Sequence, residues 1–270
     1  MKKEAPHAQP FPLRLVFVDA RRFRDWRDLY RAQPARAADP RVTQVRGAPF
    51  SRIIATIVAG AIVAQCTPAQ AESVVKLPAA AVDPAVKAKR ATAVLAGGCF
   101  WGVEGVFANV KGVISVESGY HGGSAATAKY ELTHDGKSGH AEAVRIVYDP
   151  TQVSYGTLLR VLFSVVADPT LKNRQGPDVG SQYRAAIVPL DATQRQVATS
   201  YLAQIGKGKY FARPIVVPVE SYKRFYRAEA NHQDFMRRNP SNGYIVRWDA
   251  PKLAAFKRLF PAMVRATPAP

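Results

Sequence analysis

The stretch that decides the fold is residues 94–104, VLAGGCFWGVE, where a short apolar run ends at two glycines and a cysteine follows. Two glycines permit the sharp turn that joins a strand to a helix. The apolar residues between positions 103 and 110 recur with the spacing of a helix packed on a sheet. Cys99 is therefore predicted at a helix N-terminus, where unpaired N–H groups and the macrodipole lower a thiol pKa. A buried structural cysteine is the alternative, because free cysteine is among the most buried residue types.

Strand and helix signals alternate from Ala91 onwards. Strands are predicted over 93–96, 113–119, 141–148 and 183–190, and helices over 102–109, from Ser154 to before Asp168, and from Asp191 to Ile205. The order β-α-β-β-α-β is the split βαβ pattern. The sequence thus predicts an α/β (α+β) sandwich with a ferredoxin-like β-α-β-β-α-β core. A C-terminal extension is predicted to hold a strand-like run over 214–220 and helices over 226–236 and 251–259.

The formal net charge of the 270-residue chain is +18, which would ordinarily suggest a polyanionic partner. Residues 1–71 hold 12 Lys and Arg against 5 Asp and Glu, and the excess in the remainder is dispersed. The one basic and aromatic cluster, residues 222–227, is typical of a solvated loop or helix face. We therefore expect no nucleic-acid partner.

Residues 1–71 have the layout of a presequence, with an Arg-rich extension followed by a signal peptide. Residues 53–64 form an uncharged run of twelve residues, and a small-x-small site follows at 69–71. The run is too short to span a bilayer, which needs about 20 apolar residues. We expect cleavage after Ala71 and a periplasmic or secreted protein without stable membrane insertion. A lipoprotein acylated at Cys66 and a buried hydrophobic helix are the alternatives.

The remaining chain is predicted to comprise a flexible linker over residues 72–90, a catalytic domain over 91–262 and a frayed tail over 263–270. With Cys66 removed or lipidated, Cys99 is the single thiol of the mature domain. A single thiol excludes an intradomain disulfide, a Cys-x-x-Cys redox pair and a multi-cysteine zinc site. The histidines show no metal-ligand spacing, so no metal is expected.

Glu142 lies at the start of the alternating strand that follows the Gly-His pair at 139–140. If the carboxyl points inward, desolvation raises its pKa and makes its acid form available as a proton donor near neutrality. The alternative is an outward, solvated glutamate at the end of a strand. His140 could act as the base of a Cys-His nucleophile system, although a surface-loop histidine is the commoner explanation.

Two long loops carry the other polar candidates. The Gly-rich loop at 175–184 leads into a strand and can hold Asp178 and Tyr183 in fixed positions at the strand mouth. Tyr130 lies in the second long loop.

Four segments, in this order, resemble the peptide methionine-S-sulfoxide reductases, the MsrA family. They are GCFWGVE at 98–104, GYHGG at 119–123, GHAEAV at 139–144 and QGPDVGSQYR at 175–184. The resemblance covers residues 91–262. It implies the reduction of methionine-S-sulfoxide in oxidised proteins or peptides, and four motifs in this order are highly specific.

The resemblance also implies a role for each matching residue. Cys99 is the nucleophile, and Phe100 and Trp101 shape the pocket for the S-methyl group. Glu142, Tyr130 and Tyr183 interact with the sulfoxide oxygen. Asp178 matches an aspartate that supports the site in that family. Many relatives carry resolving cysteines near the C-terminus, whereas this C-terminal region has none. Regeneration is therefore expected to use an external thiol reductant such as thioredoxin, without a prosthetic cofactor. The protein is expected to be a monomer.

The chemistry suits these residue types. A sulfoxide sulfur is a poor electrophile until its oxygen is protonated or strongly hydrogen-bonded, so an attacking thiol needs an acid opposite it. Attack by Cys99 then releases methionine and leaves a sulfenic acid. Two alternatives to this function are a Cys-His thiol hydrolase and a non-catalytic, basic periplasmic binding module.

Overall fold

The computed structural model describes residues 74–270. Within them the strands are β1 (Ala91–Gly97), β2 (Val113–His121), β3 (Ala141–Tyr148), β4 (Arg174–Gln175), β5 (Asp178–Val179), β6 (Ala185–Val188) and β7 (Phe225–Arg227). The α-helices are α1 (Phe100–Ala108), α2 (Tyr130–Thr133), α3 (Tyr155–Val161), α4 (Ala192–Lys207), α5 (Phe235–Arg238) and α6 (Ala250–Leu259).

The central sheet has the strand order β6-β1-β3-β2-β7, and every neighbouring pair is antiparallel. Strands β1, β2, β3 and β6 with helices α1 and α3 form the predicted β-α-β-β-α-β core, so the prediction of a ferredoxin-like α+β sandwich is confirmed. Strand β7, from the C-terminal extension, lengthens the sheet beside β2. Strands β4 and β5 form a separate two-stranded ladder.

Helix α1 packs on this sheet through the apolar face that its sequence predicts. Val103, Val106 and Phe107 are fully buried in the main core, together with Leu95 of β1. The predicted caps of two later helices are also present, because Ser154 accepts the Thr157 N–H and Asp191 accepts the Gln194 N–H. The core therefore fixes α1, and with it the residue at its N-terminus.

Two predictions for secondary structure are wrong. The helix expected over 226–236 is absent, because Tyr226 pairs with Tyr120 in the sheet and a helix begins only at Phe235. The run 214–220 forms no strand, only an isolated bridge from Val219 to Ile187. Its two prolines lack the N–H groups that a ladder needs. The helix predicted from Ser154 to before Asp168 is confirmed, with an α-helical part that ends at Val161 and a π-helical turn over Leu162–Val166.

The segment predicted as a flexible linker has no regular secondary structure, but it is packed against α3 and α4 from residue 75 to residue 83. Leu77 is fully buried, and the Tyr201 hydroxyl donates to the Pro78 carbonyl at 3.0 Å. Asp83 accepts the Gly156 N–H at 3.1 Å and the Ser154 hydroxyl. Its composition is polar and alanine-rich, so a few specific contacts, rather than an apolar pattern, hold the segment in place.

The tail expected to fray is also docked. The Arg265 N–H donates to the Asn109 carbonyl at 3.0 Å, and the Ala269 N–H donates to the Ala108 carbonyl at 2.7 Å. These bonds satisfy carbonyl groups at the C-terminal end of α1, which a helix leaves without partners. The tail is therefore ordered by the helix end on which it lies.

The predicted signal peptide and its cleavage site lie outside the described residues. Among residues 74–270, the structure contains no helix with the length and apolar character needed to cross a membrane.

Candidate active site

Cys99 is the N-cap residue of α1, where the sequence predicts it. The turn before it requires glycine at position 98, whose φ is +93°. Space imposes the same requirement, because a Cβ atom on Gly98 would lie 2.7 Å from the Cβ of Gln175. Gln175 is held in turn by two hydrogen bonds between its side-chain amide and the backbone of Asp168. The position of the thiol is thus fixed by the helix and by a distant loop.

The prediction that the helix N-terminus lowers the pKa of Cys99 is wrong. Burial raises the pKa of the thiol well above its usual value, and the nearby carboxyl groups of Glu142, Asp249 and Asp178 raise it further. A hydrogen bond from the Trp101 backbone N–H opposes the shift but does not outweigh it. Cys99 is 7% exposed, so little water is available to solvate a thiolate.

Glu142 lies on β3 with its carboxyl directed into the protein, as the inward alternative requires. It is 2% exposed, and its Oε2 accepts the Phe100 N–H at 2.9 Å. This bond ties the carboxyl to the first turn of α1, next to Cys99. Burial raises the pKa of Glu142 to about 8, although the Phe100 N–H opposes the shift. The carboxyl is therefore mostly protonated at neutral pH.

The structure brings Tyr130 and Tyr183 to the same cluster. Burial raises the pKa of Tyr130 to about 12 and also raises that of Tyr183. The ionised forms of Glu142 and Cys99 raise the pKa of each phenol further, so the four groups lie within electrostatic reach of one another. The Tyr183 hydroxyl lies 3.4 Å from Nδ1 of His134. Both phenols remain protonated at neutral pH and can donate hydrogen bonds.

Phe100 and Trp101 contribute to an aromatic wall beside the thiol. The rings of Trp101 and Phe235 stack with centroids 3.8 Å apart, and the Trp101 Nε1–H donates to Nδ1 of His232 at 3.2 Å. The His232 ring lies 4.4 Å from that of Tyr130 and 5.4 Å from that of Phe100. Burial lowers the pKa of His232, so its imidazole is neutral and can accept the indole N–H. Such a wall suits a polarisable sulfur and its methyl group.

Asp178 is connected to the aromatic wall through Tyr244. It accepts a hydrogen bond from the Tyr244 hydroxyl, and the Tyr244 ring makes an edge contact with Trp101 at 6.0 Å. Burial raises the pKa of Asp178, against the effect of the Tyr244 hydrogen bond. Buried Asp249 packs on α1 beside Gly102, and its charge also raises the pKa of Tyr244. Acidic groups therefore surround the thiol on more than one side.

Sequence reasoning missed several residues of this cluster as site residues. Tyr120 is fully buried against Phe100, and its hydroxyl donates to Glu229 at 2.8 Å. Glu229 also accepts the Tyr130 N–H at 3.0 Å, which holds α2 in place. Glu229 and His232 fall in the segment predicted to be a helix, so their direction could not be inferred. The only available signal was their proximity in sequence to an aromatic run.

His140 is not positioned as a base for Cys99. Its Nδ1 accepts the Gly123 N–H at 3.1 Å, and its Nε2 lies 2.9 Å from the Ser124 carbonyl. Because backbone groups occupy both ring nitrogens, His140 holds the 122–124 loop rather than activating a thiol. Within residues 74–270, no group of three or more His, Cys, Asp and Glu side chains is arranged to hold a metal ion.

Comparison with known proteins gives consistent matches. A family model described as "Peptide methionine sulfoxide reductase" matches residues 91–262. "Peptide methionine sulfoxide reductase MsrA 2" of Mesorhizobium japonicum is 52% identical over 177 residues, which cover 66% of this chain and 91% of that protein. A Synechocystis protein of the same name is 46% identical over 191 residues, or 70% and 89% of the two chains. The reduced form of Mxr1 from Saccharomyces cerevisiae matches with a TM-score of 0.50 and 27% identity, over 60% of this chain and 92% of that one.

Proposed function

The chain belongs to the peptide methionine sulfoxide reductase family and reduces methionine sulfoxide with a thiol, and we propose that Cys99 attacks the sulfur of the S epimer. The observation that carries this proposal is the junction of β1 and α1. There Cys99 caps the helix while the next residue, Phe100, donates its N–H to the buried carboxyl of Glu142. A nucleophile and an acid are thus held by adjacent residues of one turn.

The site holds both protons that the reaction uses. The pKa of Cys99 is raised well above its usual value and that of Glu142 to about 8, so thiol and carboxyl are both protonated at neutral pH. Glu142 passes its proton to the sulfoxide oxygen while the thiol sulfur forms a bond to the sulfoxide sulfur. The thiol proton replaces the one that Glu142 has lost. The S–O bond and the new S–S bond then break as the hydroxyl group moves to the Cys99 sulfur, and an electron pair returns to the substrate sulfur. The step therefore oxidises Cys99 to a sulfenic acid and reduces the sulfoxide to methionine with no net proton change.

The remaining site residues are assigned to positioning the substrate. Tyr130 and Tyr183 donate hydrogen bonds to the sulfoxide oxygen as its negative charge develops, which stabilises the transition state. Phe100 and Trp101 receive the S-methyl group. Asp178 supports the site through its hydrogen bond with Tyr244, which touches the edge of Trp101.

Regeneration of Cys99 requires an external reductant. Among residues 74–270, Cys99 is the one free cysteine, and no second thiol is available there to form an internal disulfide. A thiol reductant such as thioredoxin attacks the sulfenic sulfur and releases water, and a second thiol then reduces the mixed disulfide.

The stereochemical preference gives the first prediction. The purified protein with dithiothreitol is expected to reduce the S epimer at least about 100-fold faster than the R epimer, because inverting sulfur exchanges the positions of methyl group and oxygen. Discrimination of this size corresponds to about 3 kcal/mol. The measurement is the rate of methionine formation from each separated epimer, determined by chromatography. Similar rates for both epimers, or none for either, would contradict the proposal.

We further propose that the protein is exported to the periplasm or secreted, on the basis of the apolar run at 53–64 and the small-x-small site at 69–71. N-terminal sequencing of exported protein is expected to begin at Glu72. Substitution of Ala71 by Arg is expected to block cleavage there, because the site accepts small residues. An acylated Cys66 at the mature N-terminus would establish a lipoprotein instead, and full-length protein retained in the cytoplasm would refute both.

A further inference from the structure

An open, largely apolar groove lies along the side of α1 that faces α5 and α6. Its volume is about 270 Å³. Its floor is the face of α1 that carries Trp101, Gly105 and Ala108, and its walls include Phe235 and Leu253. We call this feature the α1 groove. Apart from Trp101 and Phe235, which belong to the aromatic wall of the active site, its lining residues have no role in the steps assigned above.

The α1 groove is continuous with the aromatic wall of the active site. Trp101 and Phe235 stack on each other at 3.8 Å, and both residues line the groove. Trp101 lies in the first turn of α1, two residues after Cys99, whereas Ala108 is the last residue of that helix. The groove thus begins beside the reacting thiol and leads away from it along the helix.

The dimensions of the α1 groove match a short length of extended peptide. Seven residues separate Trp101 from Ala108, so the floor extends about 10 Å along the helix axis. An extended chain covers this distance in about three residues. The exposed side chains of Arg237 and Lys257 also border the groove, together with Asp234, which pairs with Arg237.

We propose that the α1 groove binds an apolar side chain of the substrate peptide, two or three residues from the methionine sulfoxide. The inference rests on the proposed function, because it takes the sulfoxide to be bound beside Trp101 and Cys99. A polypeptide substrate must continue beyond its reacting side chain, and the groove is an apolar surface within reach. The groove therefore selects among methionine sulfoxides by the residues that flank them.

The test uses heptapeptides with a central methionine-S-sulfoxide in which leucine replaces serine at one flanking position at a time. With dithiothreitol as reductant, leucine at one position two or three residues away is expected to raise kcat/KM about tenfold, the effect of partly burying one such side chain. Leu253→Trp fills the groove and should reduce this gain to less than twofold. Ala254→Trp, an exposed neighbour on α6, should retain it.

A capped single residue, N-acetylmethionine-S-sulfoxide amide, separates this inference from the proposed function, because it cannot reach the groove. All three proteins should reduce it at rates within twofold of one another. If Leu253→Trp loses this activity through misfolding, Leu253→Ser replaces it and should also lose the leucine gain, since it removes an apolar wall.

The inference is overturned if the wild-type protein shows no leucine gain, or if the Leu253 variant retains it. It is also overturned if the variant changes only the KM for thioredoxin, which would make the groove a docking surface for the reductant. Failure of the wild-type protein to reduce both the capped residue and the heptapeptides would refute the proposed function, and this inference with it.

Discussion

Cys99→Ser is expected to reduce methionine formation by about 10⁴-fold or more, to the background rate of the reductant. A serine hydroxyl at the same N-cap is a far weaker nucleophile towards sulfur and cannot form the sulfenic acid. Within residues 74–270 there is no other cysteine to replace it. The measurement is methionine released from an S-sulfoxide peptide in a single turnover, with dimedone labelling and mass spectrometry to locate the sulfenic acid.

In the full-length, unprocessed chain, Cys66→Ser is the matched control, because it removes the other cysteine of that chain by the same change. This variant should keep the full rate and the dimedone label on Cys99. A Cys99→Ser protein that retains more than a few per cent of the activity would remove Cys99 from its assigned role. If that remaining activity came from a contaminating enzyme, the result would instead favour the alternative that this domain is a non-catalytic binding module.

The core could be predicted from the sequence because its elements are specified locally. Alternation over 141–148 and the caps at Ser154 and Asp191 each depend on neighbouring residues, and all three are confirmed. The segment 226–236 could not be predicted, because its place depends on pairing with a strand that precedes it by about a hundred residues. Periodicity over a few residues does not report such pairing.

The residues of the site that belong to sequence motifs could be predicted. Properties that depend on contacts between distant segments could not. The position of Cys99 follows from the two glycines and the helix pattern. The direction of its pKa shift does not, since burial and the carboxyl groups of Glu142, Asp178 and Asp249 come from three other parts of the chain. The rule that a helix N-terminus lowers a thiol pKa holds for an exposed terminus. It predicted the wrong direction for Cys99 because this terminus is buried.

Glu142→Gln is expected to slow formation of the sulfenic acid by about 10²–10⁴-fold, because glutamine can donate a hydrogen bond but cannot transfer a proton. Two effects of this change oppose each other. Loss of the carboxylate removes one cause of the raised pKa of Cys99 and so favours the thiolate. This gain is the smaller effect, since burial is the largest cause of the raised thiol pKa and remains in the variant.

The pH dependence identifies the acid. The folded-state pKa of Glu142 is raised to about 8, so its acid form predominates below pH 8 and is lost above it. The single-turnover rate of the wild-type protein should therefore be nearly constant from pH 5 to 7 and fall as pH rises through about 8. Because thiol and carboxyl interact, this midpoint belongs to the pair of groups. The Glu142→Gln variant should be slow throughout and lack the decline near pH 8.

The measurement is methionine formed in a single turnover between pH 5 and 9, with substrate affinity determined separately and expected to change little. Glu117→Gln provides the control, because Glu117 also lies on the central sheet but pairs with exposed Arg145 and Arg227. Such surface ion pairs contribute little to stability, so this variant should keep both rate and profile. If Glu142→Gln showed the wild-type rate and the same decline, Glu142 would be structural, and the proton would have to come from Tyr130 or Tyr183.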